Sequence, residues 1–135
     1  MTINHINLVV SNVASAATFF ETYFQFERTV IKGDYIIVAL QNSEKFTLVL
    51  SGDKNGEVAY PKDFHIGFML ETPEQVDDLY EKLKLDSFEI GQAPKKIRDS
   101  HAFYFYFDNL FIEVGHYFTP STISLPDAPH GHDRQ

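Results

Sequence analysis

The chain has 135 residues, with 19 acidic and 11 basic side chains and no cysteine. This length fits one compact domain with a core that buries about two thirds of the unfolded surface. The net charge of −8 repels nucleic acid and anionic membranes, and no segment approaches the roughly 20 apolar residues of a membrane span. The lack of cysteine excludes thiol catalysis and thiolate metal ligands. We therefore expect a cytoplasmic protein without nucleic-acid or membrane partners.

The first half of the chain predicts one β-α-β-β-β unit over residues 3–50. Its first strand is the apolar run from Ile3 to Val10, and Ser11 or Asn12 can cap a helix that runs to about Phe24. Turn residues then separate three short β-branched or apolar runs, which predict strands over residues 27–31, 35–40 and 45–50.

The second half predicts a similar unit over residues 64–118, after a linker over residues 51–63 that is rich in Gly, Asp and Asn. A strand over 64–71 is followed by Thr72-Pro73-Glu74-Gln75, which has the cap, proline and glutamine spacing of a capping box. The helix should end near Lys84. Strands are predicted near 88–90, 102–107 and 110–115, a polar loop is predicted over 91–101, and the proline-containing residues 119–135 are predicted to form a mobile tail.

The two halves also repeat each other in sequence, and each repeat has a histidine near its start. His5 is the second residue of the run over residues 4–10, and His65 is the second residue of the matching run over residues 64–70. Residues 46–49 also align with 111–114, which places Leu48 at the position of Glu113. An internal repeat indicates a duplicated structural unit. The fold class that we predict is α+β, with two β-α-β-β-β modules that form a cupped mixed sheet around a cleft.

Duplication would bring His5 and His65 to equivalent places, and Glu113 lies on the last strand of the second unit. Two imidazoles and one carboxylate with open positions suit a catalytic divalent metal ion. An ionised carboxylate on an apolar strand is costly unless it is paired or coordinated. The ordinary alternative is two hydrogen-bonded strand histidines and a solvent-facing glutamate on an edge strand.

With these residues, the chain resembles the vicinal oxygen chelate superfamily over about residues 3–118. That superfamily includes glyoxalase I, extradiol dioxygenases, fosfomycin-resistance thiol transferases and bleomycin-binding proteins. The resemblance implies that His5, His65 and Glu113 bind one divalent ion, either Fe, Mn, Zn or Ni, and that the protein is a homodimer. It also implies a three-ligand site, because Leu48 stands where some members carry a fourth ligand.

Several other residues are candidates for contact with a small-molecule substrate. His101 and Tyr104 are candidates for proton transfer or substrate contact, and Asn7 lies two residues after His5 on the same side of its strand. The cations Lys95, Lys96 and Arg98 form a possible anion-binding loop, although such a cluster is more often a solvated surface.

Two functions of different classes follow. The first is a metal-dependent enzyme, with dioxygenase, isomerase or lyase, and thiol-transferase chemistry all left open. The alternative is a metal-free module that binds small planar molecules in an aromatic cleft, as bleomycin-binding proteins do. A third interpretation is a structural or regulatory homodimer that keeps the fold without chemistry.

Overall fold

A computed structural model describes residues 1–118, which fall into two compact units. Unit 1 comprises Met1–Phe64 together with Phe107–Leu110, and unit 2 comprises His65–Tyr106 and the described residues from Phe111 onward. Each unit is built on a β-α-β-β-β pattern with one four-stranded mixed sheet and one helix. The predicted α+β fold with two such modules is therefore confirmed.

The sheet of unit 1 has the strand order β1-β4-β3-β2. Its strands β1 and β4 are parallel, and the other neighbours are antiparallel. The elements in chain order are β1 (His5–Val10), α1 (Val13–Phe24), β2 (Glu27–Lys32), β3 (Ile37–Gln41) and β4 (Thr47–Gly52). The helix contacts β2, β3 and β4. Along each strand, side chains that point into the buried core alternate with side chains on the opposite face of the sheet, which we call the distal face. These core side chains are Leu8, Val10, Val38, Leu40, Leu48 and Leu50.

The sheet of unit 2 has the order β5-β8-β7-β6, and β5 is parallel to β8. Its elements are β5 (His65–Met69), α2 (Pro73–Leu85), β6 (Lys95–Ile97), β7 (Ser100–Phe107) and β8 (Leu110–Tyr117). The ring of Tyr80 on α2 packs edge-to-face on Phe103 of β7. Phe103 therefore marks the helix face of this sheet, and the opposite face is its distal face.

Local capping sets the starts of both helices as the sequence predicts. The Asn12 side chain accepts a hydrogen bond of 2.9 Å from the backbone N–H of Ser15. Thr72 and Gln75 form the reciprocal bonds of a capping box, with Pro73 in the first turn. No helix within residues 1–118 is long and apolar enough to span a membrane.

One predicted strand is wrong. Residues 88–90 form no strand, and the short strand β6 (Lys95–Ile97) lies inside the predicted polar loop. Ser87 has a left-handed φ of 73°, and the N–H of Phe88 donates to the carbonyl of Leu83. These residues thus continue the turn that ends α2. Phe88 and Ile90 are apolar because they pack into the core, not because they belong to a sheet.

The start residues of several strands also differ from the prediction, by one residue in β5 and by two residues in β1, β3, β4 and β7. Strand β3 begins at Ile37 and β4 at Thr47, each two residues later than expected. Tyr35 and Lys45 have left-handed φ values of 60° and 70°, which a strand does not accommodate. The predicted tail, residues 119–135, lies outside the described residues.

The repeat alignment needs one further correction, because it is displaced by one residue at the last strand. His5 pairs with Thr47, whereas His65 pairs with Phe111. Counting from these pairs, the counterpart of Glu113 is Val49 and not Leu48. Leu48 is 2% exposed on the helix face. A shift of one residue moves a side chain to the opposite face of a sheet, so Leu48 does not occupy a ligand position.

Candidate functional site

The distal face of unit 2 brings together His65 and Glu113. His65 opens β5 and Glu113 lies on β8, and these parallel strands are neighbours. The His65 Nε2 and Glu113 Oε1 atoms are 3.6 Å apart. Glu113 is only 8% exposed, whereas the side chain of His65 is 41% exposed. An imidazole and a carboxylate therefore meet where the carboxylate is buried and the imidazole is accessible.

The pKa values of two tyrosines are raised beside the buried carboxylate. Burial, together with the negative charge of Glu113, raises the pKa of Tyr104 on β7 above its ordinary value of 10.0. Burial and the same carboxylate also raise the pKa of Tyr117. Both hydroxyls are thus protonated at neutral pH.

Gly67 leaves space beside this carboxylate. Gly67 pairs with Glu113 across the β5–β8 ladder. A Cβ atom at Gly67 would lie 3.4 Å from Glu113 Oε1 and 3.6 Å from the Met69 Cε atom. The missing side chain thus keeps open a recess next to the acceptor oxygen.

The donor set and the recess fit a divalent metal ion. Two ligands with bonds of about 2.1 Å to one ion lie about 3.0–3.4 Å apart, close to the 3.6 Å between His65 Nε2 and Glu113 Oε1. Imidazole nitrogen and carboxylate oxygen suit Zn, Mn, Fe and Ni ions. No group of three or more His, Asp or Glu side chains that could hold a metal is found within residues 1–118.

The third predicted ligand, His5, lies in unit 1 at the first residue of β1. Its Nδ1 atom is 2.8 Å from the Asn4 Oδ1 atom. If Oδ1 is the acceptor, Nδ1 carries the proton and Nε2 remains the lone-pair nitrogen, as in a metal-binding histidine. Asn7 follows on the same face, and its amide donates to the Ser51 hydroxyl at 3.0 Å.

The predicted anion-binding loop borders a cavity within unit 2. The cavity has a volume of about 200 Å³, and its lining includes Lys95 and Tyr104 together with residues of the segment before β6. Lys95 pairs with Ala102 and Lys96 with His101, so the two lysines alternate in direction along β6. Arg98 lies after the strand with a φ of 54°. Of the three cations, only Lys95 lines this cavity.

His101 is placed differently from Tyr104. The two residues are three positions apart on β7, so their side chains leave opposite faces of the sheet. His101 lies on the helix side, where its Nε2 atom is 2.7 Å from Asp77 Oδ1 on α2. The structure thus brings Tyr104, and not His101, to Glu113.

Neither Gly67 nor Phe111 was predicted from the sequence as a residue of the site. Gly67 occupies the position that Asn7 holds in the first repeat, so an alignment of the two repeats contains the signal. Phe111 pairs with His65, and their ring centroids are 6.1 Å apart. No sequence pattern identified Asp77 as the partner of His101, because their separation of 24 residues is set by packing of the helix on the sheet.

A comparison with protein-family models shows to which family the chain belongs. The model of the glyoxalase/bleomycin resistance protein/dioxygenase superfamily matches residues 2–118. The chain belongs to this superfamily. The resemblance inferred from the histidines and the repeat is therefore confirmed. A comparison with curated proteins found no match.

Solved structures similar to this member of the superfamily include a possible glyoxalase from Bacillus cereus. That chain is 36% identical with a TM-score of 0.76, and the match covers 84% of this chain and 97% of that one. The fosfomycin resistance protein FosX from Listeria monocytogenes, in a complex with Mn(II) and sulfate, is 21% identical with a TM-score of 0.69, over 85% and 91% of the two chains. A glyoxalase/dioxygenase from Nostoc punctiforme is 20% identical with a TM-score of 0.70, over 86% and 90%. The last two likenesses concern the fold alone.

Proposed function

We propose that this protein is a metal-dependent enzyme of the superfamily that acts on a small oxygenated substrate. His65, Glu113 and His5 are the proposed ligands of one divalent ion. The observation that carries the proposal is the pairing of His65 Nε2 with the buried Glu113 Oε1 at 3.6 Å, beside a recess kept open by Gly67. The Mn(II) complex of FosX, a protein of similar fold, supports manganese as the first ion to test.

When bound, such an ion supplies a Lewis acid that stabilises negative charge on the oxygens of the substrate. Glu113 contributes the negative charge that holds the cation. Tyr104, whose pKa is raised by burial and by the charge of Glu113, is the residue that we assign to orient this carboxylate, as outer partners of metal ligands do in other proteins.

The other predicted residues take supporting roles in this proposal. Lys95 provides positive charge in the cavity that Tyr104 also lines, so an anionic substituent of the substrate is the group that it would bind. Asn7, held by Ser51, would contact polar substrate groups near His5. We assign no contact with the reacting atoms to His101, because it bonds Asp77 on the helix face. Lys96 and Arg98 remain candidates for general attraction of anions.

Metal titration of tag-free variants tests the assignment. We expect wild-type protein to bind about one Mn²⁺ per chain, and His65→Ala to lose stoichiometric binding. Glu113→Gln removes the charge and should weaken Mn²⁺ binding by more than about 100-fold. This is more than the loss of metal affinity that follows mutation of a residue that only hydrogen-bonds to a ligand. His116→Ala and Glu81→Gln are matched controls, since His116 bonds the Leu70 carbonyl and Glu81 is exposed on α2.

Circular dichroism and thermal unfolding establish that each variant is folded. Unchanged Mn²⁺ affinity in folded His65→Ala and Glu113→Gln proteins would contradict the site. His5→Ala tests the third ligand separately, because its unchanged affinity would remove His5 but leave the pair in unit 2.

A metal-free binding protein is the second candidate, and aromatic side chains favour it. The rings of Tyr104, Phe111 and Tyr106 lie next to one another on unit 2, with Tyr106 61% exposed. An exposed aromatic surface is a common mark of a binding site. Absence of bound metal after reconstitution with Fe, Mn, Zn and Ni ions, combined with tight binding of a planar ligand, would establish this function instead.

We also propose that the protein is a homodimer. Support comes from apolar residues of β2 that stay exposed, Val30 at 45% and Ile31 at 47%, on a strand at one end of its sheet order. Edge strands with exposed apolar residues favour association. Light scattering at micromolar concentration should give twice the mass of 15.5 kDa, and a monomer alone would refute the proposal.

A further inference from the structure

Three aromatic rings form a continuous surface beside the proposed metal ligands. The ring centroids of Tyr104 and Phe111 are 5.2 Å apart at an interplanar angle of 22°. Those of Phe111 and Tyr106 are 4.7 Å apart at 32°. Tyr104 and Tyr106 come from one face of β7, and Phe111 from β8. We call these three residues the aromatic platform.

The platform is continuous with the ligand pair. The His65 ring lies 6.0 Å from the ring of Tyr104 and 6.1 Å from that of Phe111. The hydroxyl of Tyr104 also lies within electrostatic range of the Glu113 carboxylate. In a molecule whose oxygens bind at His65 and Glu113, the neighbouring atoms would therefore contact these aromatic rings.

Packing among residues 1–118 does not account for the most exposed residue of the platform. Tyr106 is 61% exposed although it lies inside the eight-residue strand β7. Burial of a large aromatic side chain against apolar or planar groups lowers the free energy. An accessible ring next to a polar pair thus suits a ligand with both a flat part and an oxygenated part.

We propose that the substrate carries a planar conjugated or aromatic group next to its metal-binding oxygens, and that the aromatic platform stacks on this group. The inference rests on the proposed function, since it takes His65 and Glu113 as the site of the oxygens. It adds the chemical class of the substrate. Aliphatic oxygenated molecules would bind at the metal without the stacking contribution.

Mandelate and lactate test this selectivity directly. Both carry the same 2-hydroxycarboxylate group for chelation, and they differ in that mandelate has a phenyl ring where lactate has a methyl group. Their affinities for the Mn²⁺-loaded protein are measured by calorimetry. We expect mandelate to bind about tenfold more tightly than lactate, because ring stacking adds to the burial of apolar area.

Tyr106→Ala should reduce this ratio to about threefold or less, as it removes one ring of the platform. Phe118→Ala is the matched control, because Phe118 is 50% exposed in the same unit but packs on His116. It should keep the wild-type ratio. Equal affinities of the two acids in Mn²⁺-loaded wild type, or an unchanged ratio in Tyr106→Ala, would overturn the inference.

NMR of the metal-free wild-type protein separates this inference from the metal assignment and does not depend on the folding of a variant. If Mn²⁺ does not bind, the proposed function fails. The platform still stands if mandelate, and not lactate, shifts the resonances of Tyr104, Tyr106 and Phe111. It falls if neither acid shifts them. Conversion of a dimer to a monomer by Tyr106→Ala, with no change in the ratio, would show that a second copy covers the platform and would also overturn the inference.

Discussion

At the scale of single residues, Glu113 carries the strongest constraint. A carboxylate that is 8% exposed loses hydration and needs compensating partners to stay ionised. His65 provides a nitrogen at 3.6 Å, which compensates a buried negative charge only in part. A bound cation would complete the compensation.

Gly67→Ala should lower metal affinity while leaving the fold intact. The new Cβ atom would stand 3.4 Å from Glu113 Oε1, which is ordinary van der Waals contact but occupies the recess that the ion and its remaining ligands need. We expect Mn²⁺ affinity to fall by about tenfold, a change typical of the immediate surroundings of metal sites. Calorimetric titration measures it.

Gly52→Ala is the control for this substitution. Its Cβ would lie 3.6 Å from the Val13 side chain in unit 1, so the steric demand is similar. Equal Mn²⁺ affinities of the two alanine variants and the wild type would show that the recess has no part in metal binding.

At the scale of elements, local signals in the sequence predicted more than long-range pairing did. The caps at Asn12 and Thr72 involve residues within three positions, and both helices begin as predicted. The register of β4 and β8 depends on partners more than 40 residues away, and there the alignment misplaced Leu48 by one residue. For the same reason the sequence could not show that His101 meets Asp77 on α2.

The segment between β4 and β5 gives an element-scale prediction about pH. The Tyr60 hydroxyl donates to the Val9 carbonyl of β1 at 2.5 Å, and burial, with help from the charge of Asp108, raises the pKa of Tyr60. In the unfolded chain this pKa is about 10. As the pH rises above 10, the unfolded state loses the proton before the native state does. The free energy of unfolding should therefore fall.

Urea unfolding of wild type and Tyr60→Phe measures this contribution. At pH 7 the variant should be less stable by about 1 kcal/mol, since it lacks the hydrogen bond to Val9. Its stability should fall less steeply than that of the wild type above pH 10. Identical slopes for the two proteins in this range would contradict the assignment, because the other tyrosines are common to both.

At the scale of the whole molecule, duplication supplied two similar units whose distal faces then diverged. On the parallel strands β1 and β4 of unit 1, Asn7 pairs with Val49. At the equivalent position on β5 and β8 of unit 2, Gly67 pairs with Glu113. At this position the described part of unit 2 has a carboxylate opposite a glycine, whereas unit 1 has a valine opposite an asparagine. The repeat in the sequence thus predicted the fold, whereas the differences between the repeats predict the place of the chemistry.

An anomalous diffraction measurement on crystals of tag-free protein soaked in Mn²⁺ tests the proposed metal centre most directly. We predict one strong anomalous peak per chain within about 2.0–2.3 Å of His65 Nε2 and a Glu113 carboxylate oxygen. The third protein ligand should be a nitrogen of His5. Crystals saturated with Mn²⁺ that show no peak between His65 and Glu113 would contradict the proposed function.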